Sequence, residues 1–157
     1  MDLDGTLVDT SAIDSLRRAR NWKECVVKLS QTRIFPGVSE MMQQLRARGA
    51  KLAVVTTSVS FYAERVLAYH QLPYDCLVAY HDVAWRKPHP DAYQLALRQL
   101  GVSADVTLGV GDDEVDALAL RSAGVLSVAA AWNPAYHSGA NWDFAASVPG
   151  DVVSIIV

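Results

Sequence analysis

The chain has 157 residues, 51% of them apolar and 20% charged, with a net charge of −3 at pH 7. That length supports one domain with a buried core, and the charge is wrong for a protein that coats nucleic acid or a membrane surface. No apolar run is long enough to span a bilayer, no signal peptide precedes Asp2, and Cys25 and Cys76 match no metal-ligand or redox spacing, so a cytoplasmic protein with two reduced packing cysteines is expected.

The opening segment, Met1-Asp2-Leu3-Asp4-Gly5-Thr6-Leu7-Val8-Asp9-Thr10, reads as a strand end running into a tight loop. Side chains alternate along an extended backbone, so Asp2 and Asp4 face one spot while Leu3 faces the other way. Gly5 permits a sharp turn or a close approach to a ligand. Residues 11–35 are rich in charge, with Arg17, Arg18, Arg20, Lys23, Lys28 and Arg33 against Asp14 and Glu24. They have room for one helix or a short helical hairpin, and a run of this kind is ordinarily a solvated helix face.

From Val38 onward apolar strands alternate with amphipathic helices. Val38, Met41, Met42 and Leu45 have helical spacing, and Gly49 is a stop signal. Lys51–Val55 is a buried strand ending at Thr56-Thr57-Ser58, and Phe61–Tyr69 is a helix. Cys76–Ala79 is a short strand, and Pro90–Leu100 a helix with Gly101 beyond its end. Val106–Val110 and Val125–Ala131 are strands around the helix Glu114–Ala123, and Phe144–Val148 is a final edge strand. This pattern predicts an α/β fold, a three-layer doubly wound parallel sheet, in which ligands gather at the carboxyl ends of the strands.

The reactive side chains collect at that edge. Asp2 and Asp4 follow the first strand, Thr56 and Thr57 the second, Lys87 the third, and Asp112, Asp113 and Asp116 the fourth. A carboxylate such as Asp2 can attack a phosphate ester, and Asp4 can serve as general acid and base. The hydroxyl of Thr56 and nearby main-chain N–H groups can bind a phosphoryl oxygen, or simply cap the next helix. Prolines stiffen Lys87-Pro88-His89-Pro90, so a lysine there is held in place to neutralise Asp2 and a phosphoryl group. Asp112 is a candidate Mg²⁺ ligand, Asp116 a partner for Lys87 or for metal-bound water, and Asp113 an alternative for either. Each motif alone has a bland reading as a turn, a cap or a surface charge.

In the order Asp-x-Asp-Gly-Thr-Leu-x-Asp-Thr, strand-Thr, Lys-Pro-x-Pro-Asp and Gly-Asp-x-x-x-Asp, the motifs resemble the haloacid dehalogenase (HAD) superfamily of phosphatases, most nearly its phosphoglycolate phosphatase and β-phosphoglucomutase branch. The resemblance runs from Met1 to about Ser147. It implies a nucleophile at Asp2, an acid/base at Asp4, charge balance by Lys87, and phosphate binding by Thr56, with Thr57 and Gly5 beside it. It implies Mg²⁺ held by Asp2, the main-chain carbonyl of Asp4, and Asp112, with Asp113 and Asp116 nearby. Asp4 itself favours phosphate-ester chemistry over dehalogenation.

Two departures bear on this. The family has an apolar strand ahead of the nucleophile, where this sequence has only Met1, and a late-assigned start is the favoured explanation over a fragment or a substitute element. Without that strand, Asp2 is expected to sit on an unanchored terminus. The cap insert of residues 11–35 is also far smaller than usual, within a single domain of residues 1–157. An open site of that kind suits a large substrate or closure by a second copy of the chain. The expected partner is a small phosphorylated metabolite. The competing reading is a truncated or degenerate HAD-like domain that binds a phosphorylated ligand or a protein without catalysis.

Overall fold

The computed structural model describes residues 1–155. Its sheet is built from two parallel blocks. β3 (Ala53–Val55) pairs with β4 (Cys76–Val78), and β5 (Leu108–Gly111) pairs with β6 (Leu126–Ala130), which pairs with the edge strand β7 (Phe144–Ala146). The first two residues join the blocks. The Val55 N–H donates to the Met1 carbonyl at 2.9 Å, the Met1 ammonium donates to the Ala53 carbonyl at 2.8 Å, and the Asp2 N–H donates to the Val110 carbonyl at 2.8 Å. Two residues of extended chain thus occupy the middle of the sheet. The expectation of an unanchored Asp2 is corrected by these bonds, because main-chain groups on both neighbouring strands hold it in register.

Helices cover both faces, as near-continuous apolar strands require. On one face α3 (Val38–Ala47), α4 (Ser60–Tyr69) and α7 (Pro149–Ile155) bury Met41, Met42, Leu45, Val66, Leu67, Val152 and Val153 with Leu3, Val54, Val110 and Val128. On the other, α5 (Asp91–Leu100) and α6 (Glu114–Ser122) bury Tyr93, Ala96, Ala119 and Leu120 with Val55, Cys76 and Val78. Val54 and Val55 point into opposite cores, the strand alternation that makes three layers. α5 ends at Gly101 in the left-handed conformation, the usual C-terminal device for a helix.

The insert stands on a two-stranded antiparallel stem, β1 (Val8–Asp9) against β2 (Arg33–Ile34). It carries two short helices, α1 (Asp14–Arg18) and α2 (Trp22–Val27), with single 3₁₀ turns on either side. α2 packs on α4, where the Trp22 and Tyr62 rings lie 5.3 Å apart. The insert is therefore fastened to the core at both its stem and its tip. None of the helices in the described residues is long and apolar enough to cross a membrane.

Candidate active site

The carboxyl ends of the strands converge on a cavity of about 460 Å³ lined by Asp2, Asp4, Gly5, Thr56, Thr57, Lys87, Asp112 and Asp116 among others. Lys87 is its hub. Its ammonium donates to Asp2 Oδ1 at 2.7 Å, to Asp116 Oδ1 at 2.6 Å and to the Val55 carbonyl at 2.8 Å, and its side chain is only 2% exposed. All three of its donor positions are used, so the charge is fixed. Burial works against that charge, but Asp116 and Asp2 prevail and hold the Lys87 ammonium well above its ordinary pKa. Tyr93 donates to the same Asp116 oxygen at 3.0 Å, and Asp116 Oδ2 accepts the Asp113 N–H at 3.3 Å.

Asp2, Asp112 and Asp116 each place a carboxylate oxygen within 4.8 Å of the others. Three carboxylates against one ammonium leave the cluster short of positive charge. Burial first, and then Asp116 and Asp112, push the Asp2 carboxyl up to about 8 even though Lys87 pulls the other way. Burial also lifts Asp112 to about 6, against the hydrogen bond from Thr6. The Met1 α-amino group is lowered to about 6, by burial and then by Lys87. A dense set of hard oxygen donors with unbalanced negative charge fits a divalent cation such as Mg²⁺.

Local sequence explains the convergence. Gly5 has φ +88°, a left-handed turn that L side chains rarely adopt, and a Cβ there would collide with the Asp112 carboxylate. Gly111 likewise leaves room for Asp116, which packs where a Cβ would stand. Asp112 receives Thr6 Oγ1 at 2.8 Å and Asn133 Nδ2 at 3.2 Å, while Asn133 also donates to the Gly5 carbonyl at 2.8 Å. The Trp132 indole donates to the Thr6 carbonyl at 2.9 Å. The loop after β6 thus braces the first turn of the chain.

Other expected residues fall in different places. Asp113 is exposed and accepts the Val115 N–H at 3.3 Å as the N-cap of α6, outside the carboxylate cluster found among the described residues. It caps the helix and also lines the cavity. The Asp4 side chain also lies outside that cluster. Its oxygens accept Ser58 Oγ and Tyr62 OH, each at 2.8 Å, and Arg17 Nε of the insert stands 3.1 Å away. Thr56 is buried at the end of β3, where its hydroxyl accepts the Ser58 N–H at 3.0 Å. It forms a local turn, while Val59 occupies the N-cap of α4. Thr57 is exposed on the cavity rim. Ser58, Tyr62, Thr6 and Tyr93 were not legible as site residues, because nothing in their local sequence separates them from core or turn positions.

Comparison with known proteins follows the same lines. The chain is 38% identical over 105 residues to phosphoglycolate phosphatase of Xanthomonas campestris pv. campestris, covering 66% of this chain and 48% of that protein. It is 31% identical over 101 residues to pyrophosphatase PpaX of Oceanobacillus iheyensis, covering 63% of this chain and 47% of that protein. It spans about half the length of these curated relatives. A crystal structure from Lactobacillus plantarum superposes with a TM-score of 0.85 at 18% identity, covering 98% of this chain and 96% of that one, a likeness of fold. The haloacid dehalogenase-like hydrolase family matches residues 19–124, a stretch that holds Lys87, Asp112 and Asp116 but begins after Asp2 and Asp4. With Asp2 joined to that stretch by the Lys87 hub and Asp4 by Ser58 and Tyr62, the chain belongs to the haloacid dehalogenase-like hydrolase family.

Proposed function

We propose that the chain is a phosphatase that cleaves a phosphate monoester of a small metabolite through an aspartyl-phosphate on Asp2, with Mg²⁺ as cofactor. The observation that carries this is the Lys87 bridge. It brings a carboxylate from the second residue of the chain within 2.7 Å of an ammonium that also holds Asp116, beside Asp112. Asp2, Asp112 and the main-chain carbonyl of Asp4 would hold Mg²⁺, with Asp116 beside them. Bound there, the ion would supply positive charge to the phosphoryl oxygens and keep Asp2 ionised.

In this reading an oxygen of Asp2 attacks phosphorus, and the bond from phosphorus to the ester oxygen breaks. Asp4 gives a proton to the departing oxygen. Asp4 then takes a proton from the water that cleaves the aspartyl-phosphate, releasing inorganic phosphate and restoring Asp2. Lys87 offsets negative charge on Asp2 and the transferring group throughout. Thr56, Thr57 and the Gly5 turn line the space for the phosphoryl oxygens. The short insert leaves the mouth open, which suits closure by a bulky substrate or by a second copy of the chain. A cytoplasmic setting is part of the same reading, supported by two buried free cysteines.

The test is hydrolysis of p-nitrophenyl phosphate with and without Mg²⁺. Asp2→Asn is expected to lower kcat by roughly 10³-fold or more while binding of inorganic phosphate persists. Equal rates for Asp2→Asn and the parent chain would overturn the assignment.

A further inference from the structure

The groups that hold Asp4 differ from those that hold the carboxylate cluster. Its Oδ2 accepts the Ser58 hydroxyl at 2.8 Å, and its Oδ1 accepts the Tyr62 hydroxyl at 2.8 Å. Arg17 Nε lies 3.1 Å from Oδ1 but makes no aligned hydrogen bond there, while its Nη1 is spent on Thr10 Oγ1 at 3.1 Å. Arg17 therefore adds charge without direction, and direction comes from the two hydroxyls. Their footing is unequal. Ser58 is in the loop after β3, whereas Tyr62 is in the first turn of α4, fully buried, with the Trp22 ring of the insert 5.3 Å from its own.

Asp4 lines the carboxylate cavity and Tyr62 does not, so Tyr62 reaches the site only through Asp4. A tyrosine hydroxyl buried this deeply needs a partner, and here the partner is one carboxylate oxygen. Each carboxylate oxygen has room for about two donors. On Oδ1 that room is taken by Tyr62 and the Arg17 guanidinium. On Oδ2 only Ser58 donates among the described residues, so one position stays open. The two oxygens of Asp4 are thus made unlike by their surroundings. Oδ1 is anchored, and Oδ2 is the one suited to carry a proton.

We propose that Tyr62 is a positioning residue for the acid/base step: its hydroxyl pins Oδ1 of Asp4 so that Oδ2 exchanges the proton, and Trp22 of the insert keeps Tyr62 in place. This rests on the hydrolase reading above. In the first step the proton passes from Oδ2 to the ester oxygen as its bond to phosphorus breaks. In the second, Oδ2 takes a proton from water as the water oxygen bonds to phosphorus and the bond from phosphorus to Asp2 breaks. Tyr62 keeps its own proton throughout. A carboxyl group turned by a small angle misses the ester oxygen, which is why a buried anchor matters to rate. The short insert then serves the chemistry as a brace for the acid.

The test compares phenyl phosphate, whose leaving oxygen needs a proton, with 2,4-dinitrophenyl phosphate, whose leaving oxygen needs none. Tyr62→Phe is expected to raise the ratio of kcat/KM for the dinitrophenyl ester over the phenyl ester by about tenfold. With the dinitrophenyl ester kcat and KM should fall together, because the water step needs Asp4 whatever the leaving group. Trp22→Leu should move the ratio the same way by a smaller factor, and an unchanged ratio there overturns the brace from the insert. A hydroxyl with a merely structural role would lower Tm and leave the ratio alone. Turnover of both esters with a ratio that Tyr62→Phe leaves unchanged overturns the role of Tyr62 while the hydrolase reading stands. No turnover of either ester by the parent chain overturns the hydrolase reading, and crystal structures then judge the anchor by itself. A displaced Asp4 carboxyl in Tyr62→Phe supports it, and one orientation in both proteins overturns it.

Discussion

The two ends of the central sheet differ sharply. At the carboxyl end every polar group near the middle is engaged: Asp2 with Lys87, Asp112 with Thr6 and Asn133, Asp116 with Lys87 and Tyr93. At the amino end, beside Met1, the surroundings are mainly apolar. Cavities of about 70 Å³ and 580 Å³ adjoin Met1, one lined by Ala96, Leu97, Leu120 and Val125, the other by Leu45, Val102, Val106 and Leu126. Leu52 and Leu108 line both. A slot with apolar walls on both faces of a sheet is what a buried parallel strand requires. Three main-chain bonds at Met1 and Asp2 hold these residues in register between the two strand blocks.

The largest test of that contrast strikes the engaged end. Lys87→Met leaves Asp2 and Asp116 buried without their ammonium, and is expected to cost about 3–5 kcal/mol in thermal or urea unfolding. Combining it with Asp2→Asn should recover part of that loss, since one unpaired carboxylate is then gone. Additive losses would mean that the pair does not hold the blocks together.

The next test fills the open end. Four strand-forming apolar residues placed ahead of Met1 should enter the slot, bury surface on Leu108 and Leu126, and raise Tm by several degrees, roughly 2–4 °C for each kcal/mol gained. A Gly-Ser extension of equal length should not. An equal Tm for both would mean that the slot is too narrow or too wet for a strand.

The smallest effect is at the outer strands, where the amino end is closed by polar groups. Asp143 Oδ2 accepts the Ser127 N–H at 2.8 Å and the Ser127 hydroxyl at 2.7 Å, clamping the start of β6 to the residue before β7. The main-chain N–H of Ser127 first, then its hydroxyl, holds the Asp143 carboxyl below the ordinary 3.8. A depressed folded-state pKa stabilises above the unfolded value and loses that contribution as pH falls through the folded one. Asp143→Ala should therefore cost about 1 kcal/mol at pH 7 and progressively less below about pH 4. A cost that stays constant into acid would show that packing, not the carboxylate, is responsible.

Much of this was legible beforehand, with physical reasons for the exceptions. Runs such as Cys76–Ala79 and Val125–Ala131 are apolar on both faces, and they appear as β4 and β6 within a residue of the expected limits. The stem strands β1 and β2 have two residues each, too short to carry a period. α7 opens with Pro149 and Gly150, residues of low helix propensity, yet Val152 and Val153 bury it against α3. Asp113 also caps α6, a task its place just ahead of the helix gives it.

What the sequence determined alone was the inventory and its edge: which carboxylates, threonines and lysine stand at the carboxyl ends of parallel strands. That follows from spacing, since hydrophobic periodicity assigns the strands and chain order assigns what comes after each. What only the tertiary structure decided was partnership. Lys87 meets Asp2 across 85 positions of chain, Asp4 turns to Ser58, Tyr62 and Arg17, and Arg20 is left without a counter-charge among the described residues. Such choices depend on burial and on competition among charges within a few ångströms, quantities that exist only once separate segments are packed together.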